Sequence, residues 1–71
     1  MGSSIVQSII FDKNKYTVEK AKKWLKSHGY KYGDVDEKQH HIRFRQVEPG
    51  KFKYFRTKEI ADGIKLILGF E

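Results

Sequence analysis

The first apolar run of the chain, Ile5 to Phe11, is rich in β-branched and aromatic residues and is bounded by serines before it and by "DKNK" after it. A short run of this kind predicts a strand buried on both faces or nearly so. The period then changes. Thr17 offers an N-cap hydroxyl to "VEKAKKWLKSH", which holds no Gly or Pro until Gly29, where a left-handed residue is expected to close a helix. On a 100° wheel Val18, Ala21, Trp24, Leu25 and His28 share one sector, and Lys20, Lys22, Lys23 and Lys26 lie opposite. Trp24 is therefore expected to be buried against a sheet, with the lysines in water. Glu19 is placed to pair with Lys23 at i, i+4.

After Gly29 the period returns to two. "YKYGDV" and "QHHIRFRQV" flank the polar "DEK", a connection of hairpin length. "EPG" supplies turn chemistry, so the strand carrying Arg43 is expected to pair with "KFKYFRT" around Pro49 and Gly50. "ADG" breaks the chain before a last strand, "IKLILGF". The fold class is α+β: one amphipathic helix packed on a mainly antiparallel sheet of about four to five strands, in the order β-α-β-β-β-β. Alternation also sorts the faces. Ile42, Phe44 and Phe55 are expected to face the helix. Arg43, Arg45, Tyr54 and Arg56 are expected to share the open face, with Phe52 near its edge.

With 71 residues the chain makes one small domain, read here as 5–71, with residues 1–4 a flexible or tag-derived N-terminus. The expected core is Ile9, Phe11, Trp24, Leu25, Ile42, Phe44, Phe55, Ile64, Leu66 and Leu68. There is no cysteine, and His40 and His41 are adjacent, so on a strand their imidazoles point to opposite faces and cannot share one metal. No metal or cofactor is expected. The start of the chain has neither the basic region nor the apolar run of a signal peptide, and no stretch is long enough to span a bilayer.

Charge changes the picture more than composition does. Fifteen Lys plus Arg against nine Asp plus Glu give +6. Residues 13–31 hold seven lysines against Glu19 alone, and residues 38–58 hold seven cations against Glu48 alone. Asp34, Asp36 and Glu37 form an acidic knot between them. A small basic protein is drawn to polyanions at long range. Arginines interleaved with aromatics on an exposed sheet supply phosphate contacts and stacking surfaces for single strands, although a solvated hairpin face reads the same. A lysine-rich surface also serves solubility alone. Nothing in the chain resembles a catalytic triad, a Gly-rich phosphate loop or a cysteine nucleophile, so no enzymatic activity is expected.

The features "FRQ" at Phe44 to Gln46, Pro49, Phe52, "FRT" at Phe55 to Thr57, Gly63-Ile64 and Gly69 carry a resemblance. Together with "AKKWLKSHGY" and "VQSIIFDK" they resemble a small viral domain associated with phage head-region proteins and with large DNA viruses. The resemblance implies a virus-encoded module near DNA or capsid, working in the host cytoplasm or nucleoid or inside the virion, and not secreted. It imports no activity.

The functional expectation is a non-enzymatic binding module that contacts nucleic acid, DNA or RNA being left open, through a basic surface. The residues expected to make the contacts are Lys20, Lys22, Lys23, Lys26, Arg43, Arg45, Lys51, Lys53, Tyr54 and Arg56. The competing expectation is a protein-interaction module in capsid assembly or on a host factor, docking on another viral or host protein or on a second copy of itself. Membrane partners are not expected.

Overall fold

The computed structural model describes residues 4–71, and the side chain of Lys51 lies outside what it describes. β1 spans Ser4–Asp12, α1 Val18–Ser27, β2 Val35–Glu37, β3 His41–Arg45, β4 Tyr54–Ala61 and β5 Ile64–Phe70, with a single 3-10 turn at Pro49–Lys51. Residues 1–3 of the expected N-terminal tail lie outside the described residues, and Ser4 opens β1. The architecture is the expected one: α+β, one helix on one face of an antiparallel sheet, in the order β-α-β-β-β-β.

The sheet order is β2-β3-β1-β5-β4, with every neighbouring pair antiparallel. β1 takes the centre, with four of its residues buried across both sides of the strand: Gln7, Ser8, Ile9 and Phe11. Its Ile9 lies between Phe44 of β3 and Leu66 of β5, and its Phe11 between Ile42 and Ile64. These six apolar residues and Ala21 and Leu25 of α1 make the core. Phe11 is its hub, meeting Tyr16, Trp24 and Phe44 edge to face at centroid distances of 5.2, 5.7 and 5.6 Å, the arrangement that ring quadrupoles favour.

α1 begins and ends as its local residues dictate. The Thr17 hydroxyl accepts from the Lys20 amide at 3.2 Å, which satisfies one of the free N–H groups of the first turn. Gly29 at φ +79° turns the chain out of the helix, and the Tyr30 amide donates back to the Leu25 carbonyl at 2.9 Å. The side chain of Gln46 then fastens the exit. Its Nε2 donates to the Lys31 carbonyl at 2.8 Å and its Oε1 accepts from the Lys31 amide at 2.9 Å. One side chain thus imitates a rung of sheet at the end of β3.

Three expectations are corrected. β3 and β4 do not form a hairpin, because β1 and β5 lie between them and the Pro49–Lys51 turn belongs to a crossover from one half of the sheet to the far edge. β4 has no apolar side with which to claim an inner position: all eight of its residues are exposed, as suits an edge strand. Phe55 is opposite Gly69 of β5, which turns it away from the helix and leaves it 43% exposed rather than in the core. Trp24 packs against the core half-buried. It stacks on His28 at 3.9 Å and lies parallel to Tyr30 at 6.0 Å, so its outer face is covered by aromatic neighbours and not by strand.

Candidate nucleic-acid interface

Antiparallel pairing sets directly opposed residues on the same side of a sheet, so the register of β4 against β5 decides which of the basic residues are gathered together. Tyr54 is opposite Phe70, Arg56 opposite Leu68 and Lys58 opposite Leu66. Leu66 is in the core under α1 and Leu68 packs against it. Tyr54, Arg56 and Lys58 therefore project on the side of the sheet that carries the helix. Tyr54 is 50% exposed with its ring stacked on Phe70 at 4.8 Å, which leaves its other ring face in water.

On α1, Lys20, Lys23 and Lys26 are exposed and Lys22 is half-buried, lying beside the apolar sector. None of these four lysines, nor Arg56 or Lys58, forms an ion pair among the described residues. The pairing of Glu19 with Lys23 does not form. Six cations and an exposed tyrosine thus share the helix-bearing side with free charges.

Arg43 and Arg45 are elsewhere. Arg43 is opposite Ile10 and Arg45 opposite Ser8, which places both on the open face with Lys65, Ile67, Thr57 and Phe55. The expected grouping of Arg43, Arg45, Tyr54 and Arg56 on one surface is corrected: the first two and the last two are on opposite sides of the sheet. The cause is the sheet order. Had β3 and β4 paired directly, one parity could have joined them. With two strands between, the β4–β5 register sets the side, and Gly69 opposite Phe55 makes Phe55, Thr57 and Glu59 the open-face set. Phe52 does lie near the edge of that face, its ring filling the space above Gly69 and meeting Phe55 edge to face at 5.7 Å. Lys53 is exposed at the entrance to β4, its amide donating to the Phe70 carbonyl at 2.7 Å. The side chain of Lys51 lies outside the described residues.

Charges are also sorted along the strands. Asp12, Asp36, Glu37, Glu59 and Asp62 gather where β1 ends and the β2–β3 and β4–β5 turns meet. There Lys13 pairs with Glu37 at 2.8 Å, Lys38 with Asp36 at 3.1 Å, and Lys15 with Asp62, whose carboxylate raises the Lys15 pKa above its ordinary value by hydrogen bonding first and charge second. Five of the nine acids are thus concentrated at one end, three of them paired. The open face here holds a shallow depression of about 760 Å³ whose floor is Ile10 and Ile67.

Sequence reasoning missed Lys58, Lys65 and the pair Gln7 and Ser8. The two lysines carry no local signal beyond charge. Gln7 could have been noticed as a polar residue inside a run otherwise apolar enough to be central. Among the described residues no group of three or more acidic, histidine or cysteine side chains is arranged to hold a metal ion, and no helix is long and apolar enough to cross a membrane. Comparison with protein families, curated proteins and solved structures finds no match for the chain.

Proposed function

We propose that this protein is a non-enzymatic module that binds nucleic acid through the helix-bearing side of its sheet. The observation that carries the reading is the β4–β5 register, which adds Arg56, Lys58 and Tyr54 to the side bearing the four lysines of α1, with all six cations unpaired among the described residues. Free cations on one side of a small domain neutralise neighbouring phosphates and release their counterions, which favours binding without reading bases. A convex helix beside a strand offers no slot for bases, and Tyr54 is the single aromatic among the named residues of that surface. Duplex and single strand are therefore bound with similar strength. The setting that the resemblance implies, a virus-encoded module near DNA or capsid, belongs to the same proposal.

The test is a fluorescence anisotropy titration of a labelled 20-base-pair duplex and of one of its strands, repeated from low to moderate salt. Binding by four to six phosphate contacts gives a log–log salt slope of about −4 to −5 for the duplex and a shallower one for the single strand. Lys22→Glu with Lys23→Glu lowers affinity for both probes and flattens the slope. Binding that is insensitive to salt and to this pair would replace the reading with a protein-interaction module.

A further inference from the structure

The open face contains a polar arrangement that the basic helix side does not explain. The β1–β5 register slips between Val6 and Ser8, inserting Gln7 as an extra residue. The slip keeps Val6 on the helix side, opposite Leu68, although it is three residues from Ile9. It also folds the Gln7 side chain into the protein, where it is 1% exposed, beside a fully buried Ser8. Gln7 Nε2 donates to the Val47 carbonyl at 2.9 Å. Its Oε1 accepts from the Ser8 hydroxyl at 2.7 Å and from Arg43 Nη2 at 3.0 Å, while Arg43 Nε donates to Ser8 Oγ at 3.1 Å.

Two neutral, buried acceptors thus grip one fork of the Arg43 guanidinium, the one formed by Nε and Nη2. A guanidinium carries five N–H donors. The Nη1 and Nη2 pair at its tip remains, and no carboxylate lies within ion-pairing distance of it among the described residues. Asp36, directly opposite on β2, is engaged by Lys38. A cation held by neutral partners keeps its full charge, and here its remaining fork is pre-set by packing. Arg45, two residues on and on the same face, adds a second guanidinium held only loosely by Glu48 at 3.8 Å. Lys65 lies one strand beyond Ile10 in the same row.

We propose that Arg43 is the centre of an anion subsite on the open face, separate from the helix-side surface, and that its ligand is a phosphate group seated on the free Nη1–Nη2 fork with Arg45 beside it. Phosphate is favoured over carboxylate because two arginines on the same face of one strand suit an anion with more than one negative charge and with oxygens directed to more than one side. The site stands whether or not the helix side binds nucleic acid, since the two are on opposite sides of the sheet.

The experiment is an NMR titration of the full chain with inorganic phosphate, with acetate as a second arm and ionic strength held constant by chloride, following the Arg side-chain N–H signals and the backbone amides. The expected result is a saturable shift centred on Arg43 Nε, Arg45 and the Gln7–Ser8 segment under phosphate, with a weaker response to acetate. In Arg43→Lys, which keeps the charge and loses the fork, apparent affinity falls about tenfold. Lys22→Glu with Lys23→Glu leaves the shift at Arg43 unchanged. Shifts that grow without saturating and spread evenly over the lysines would overturn the site, and an equal or stronger response to acetate would overturn the assignment to phosphate. Because the wild-type titration locates the site by itself, an Arg43→Lys protein that fails to fold leaves the test in force.

Discussion

At the scale of single residues, what a position tolerates is set by what stands over it. Gly69 has no positive φ, so its lack of a side chain is not a backbone requirement; a Cβ there would lie 2.6 Å from the ring of Phe52. Gly69→Ala must push Phe52 off the sheet, and overpacking of this kind costs about 1 to 3 kcal/mol. Urea denaturation will show the loss, and the Phe52–Phe55 contact will disappear from the NOE pattern. Gly63 is the contrasting case. Its φ of +85° is the conformation the β4–β5 turn needs, and a Cβ would also crowd Lys15 and Tyr16 at 3.0 to 3.3 Å. Trp24 belongs at this scale too. Being half-buried among His28, Tyr30 and Phe11, it emits between the extremes of water-exposed and core tryptophan, and Trp24→Ala costs about 2 to 3 kcal/mol, below the range for a fully buried ring. An emission maximum equal to that of free tryptophan would contradict this packing.

At the scale of elements, the local pattern was informative wherever one face had to be buried against an immediate neighbour. The Thr17 cap, the sector of Ala21 and Leu25, the turn at Gly29 and the run Ile64–Phe70 could all be read from the sequence because each is decided within a few residues. The partner of β3 could not. Alternation around Pro49–Gly50 is the same for a hairpin and for a crossover, and the choice rests on the competition for β1 between β3 and β5, which no short window contains. The candidate surface inherited that ambiguity: the lysine face of α1 was legible, whereas the side taken by Tyr54 and Arg56 depended on a register two strands away. What holds the crossover in place is the Gln7 carbonyl, which accepts from the Gln46 and Val47 amides at 2.8 and 3.4 Å, and the Gln7 side chain on the Val47 carbonyl. Gln7→Ala removes the side-chain bond and strips the buried Ser8 hydroxyl and the half-buried Arg43 guanidinium of an acceptor, a loss of about 1 to 3 kcal/mol. Hydrogen exchange will quicken first at Gln46 and Val47, while the α1 amides keep their protection until global unfolding.

At the scale of the whole molecule the question is where a polyanion would settle, and the charge layout answers it more sharply than the net charge does. The five acids grouped at one end leave the rest of the chain with four acids against ten cations, counting Lys13, Lys15, Lys38, Arg43 and Lys65 with the acidic end. A long duplex lying over the helix side would therefore be held towards the end away from the β4–β5 turn. Two double substitutions probe this without touching the core: Lys22→Glu with Lys23→Glu on α1, and Arg56→Glu with Lys58→Glu on β4. Lys23, Arg56 and Lys58 are exposed and contribute little to folding, so the β4 pair is expected to melt within a few degrees of the parent and the α1 pair, which includes the half-buried Lys22, somewhat lower. If α1 and β4 form one surface, each pair weakens duplex binding by a comparable factor, each reduces the magnitude of the salt slope by about 2 to 4 as two phosphate contacts are lost and two repulsions are added, and the fourfold variant binds no better than a neutral protein of this size. Anisotropy titrations at three salt concentrations measure all of this. The outcome that would separate the two elements is an unchanged slope in the β4 pair alongside a reduced one in the α1 pair, since the register that sets Arg56 and Lys58 beside the lysines would then have no consequence for binding.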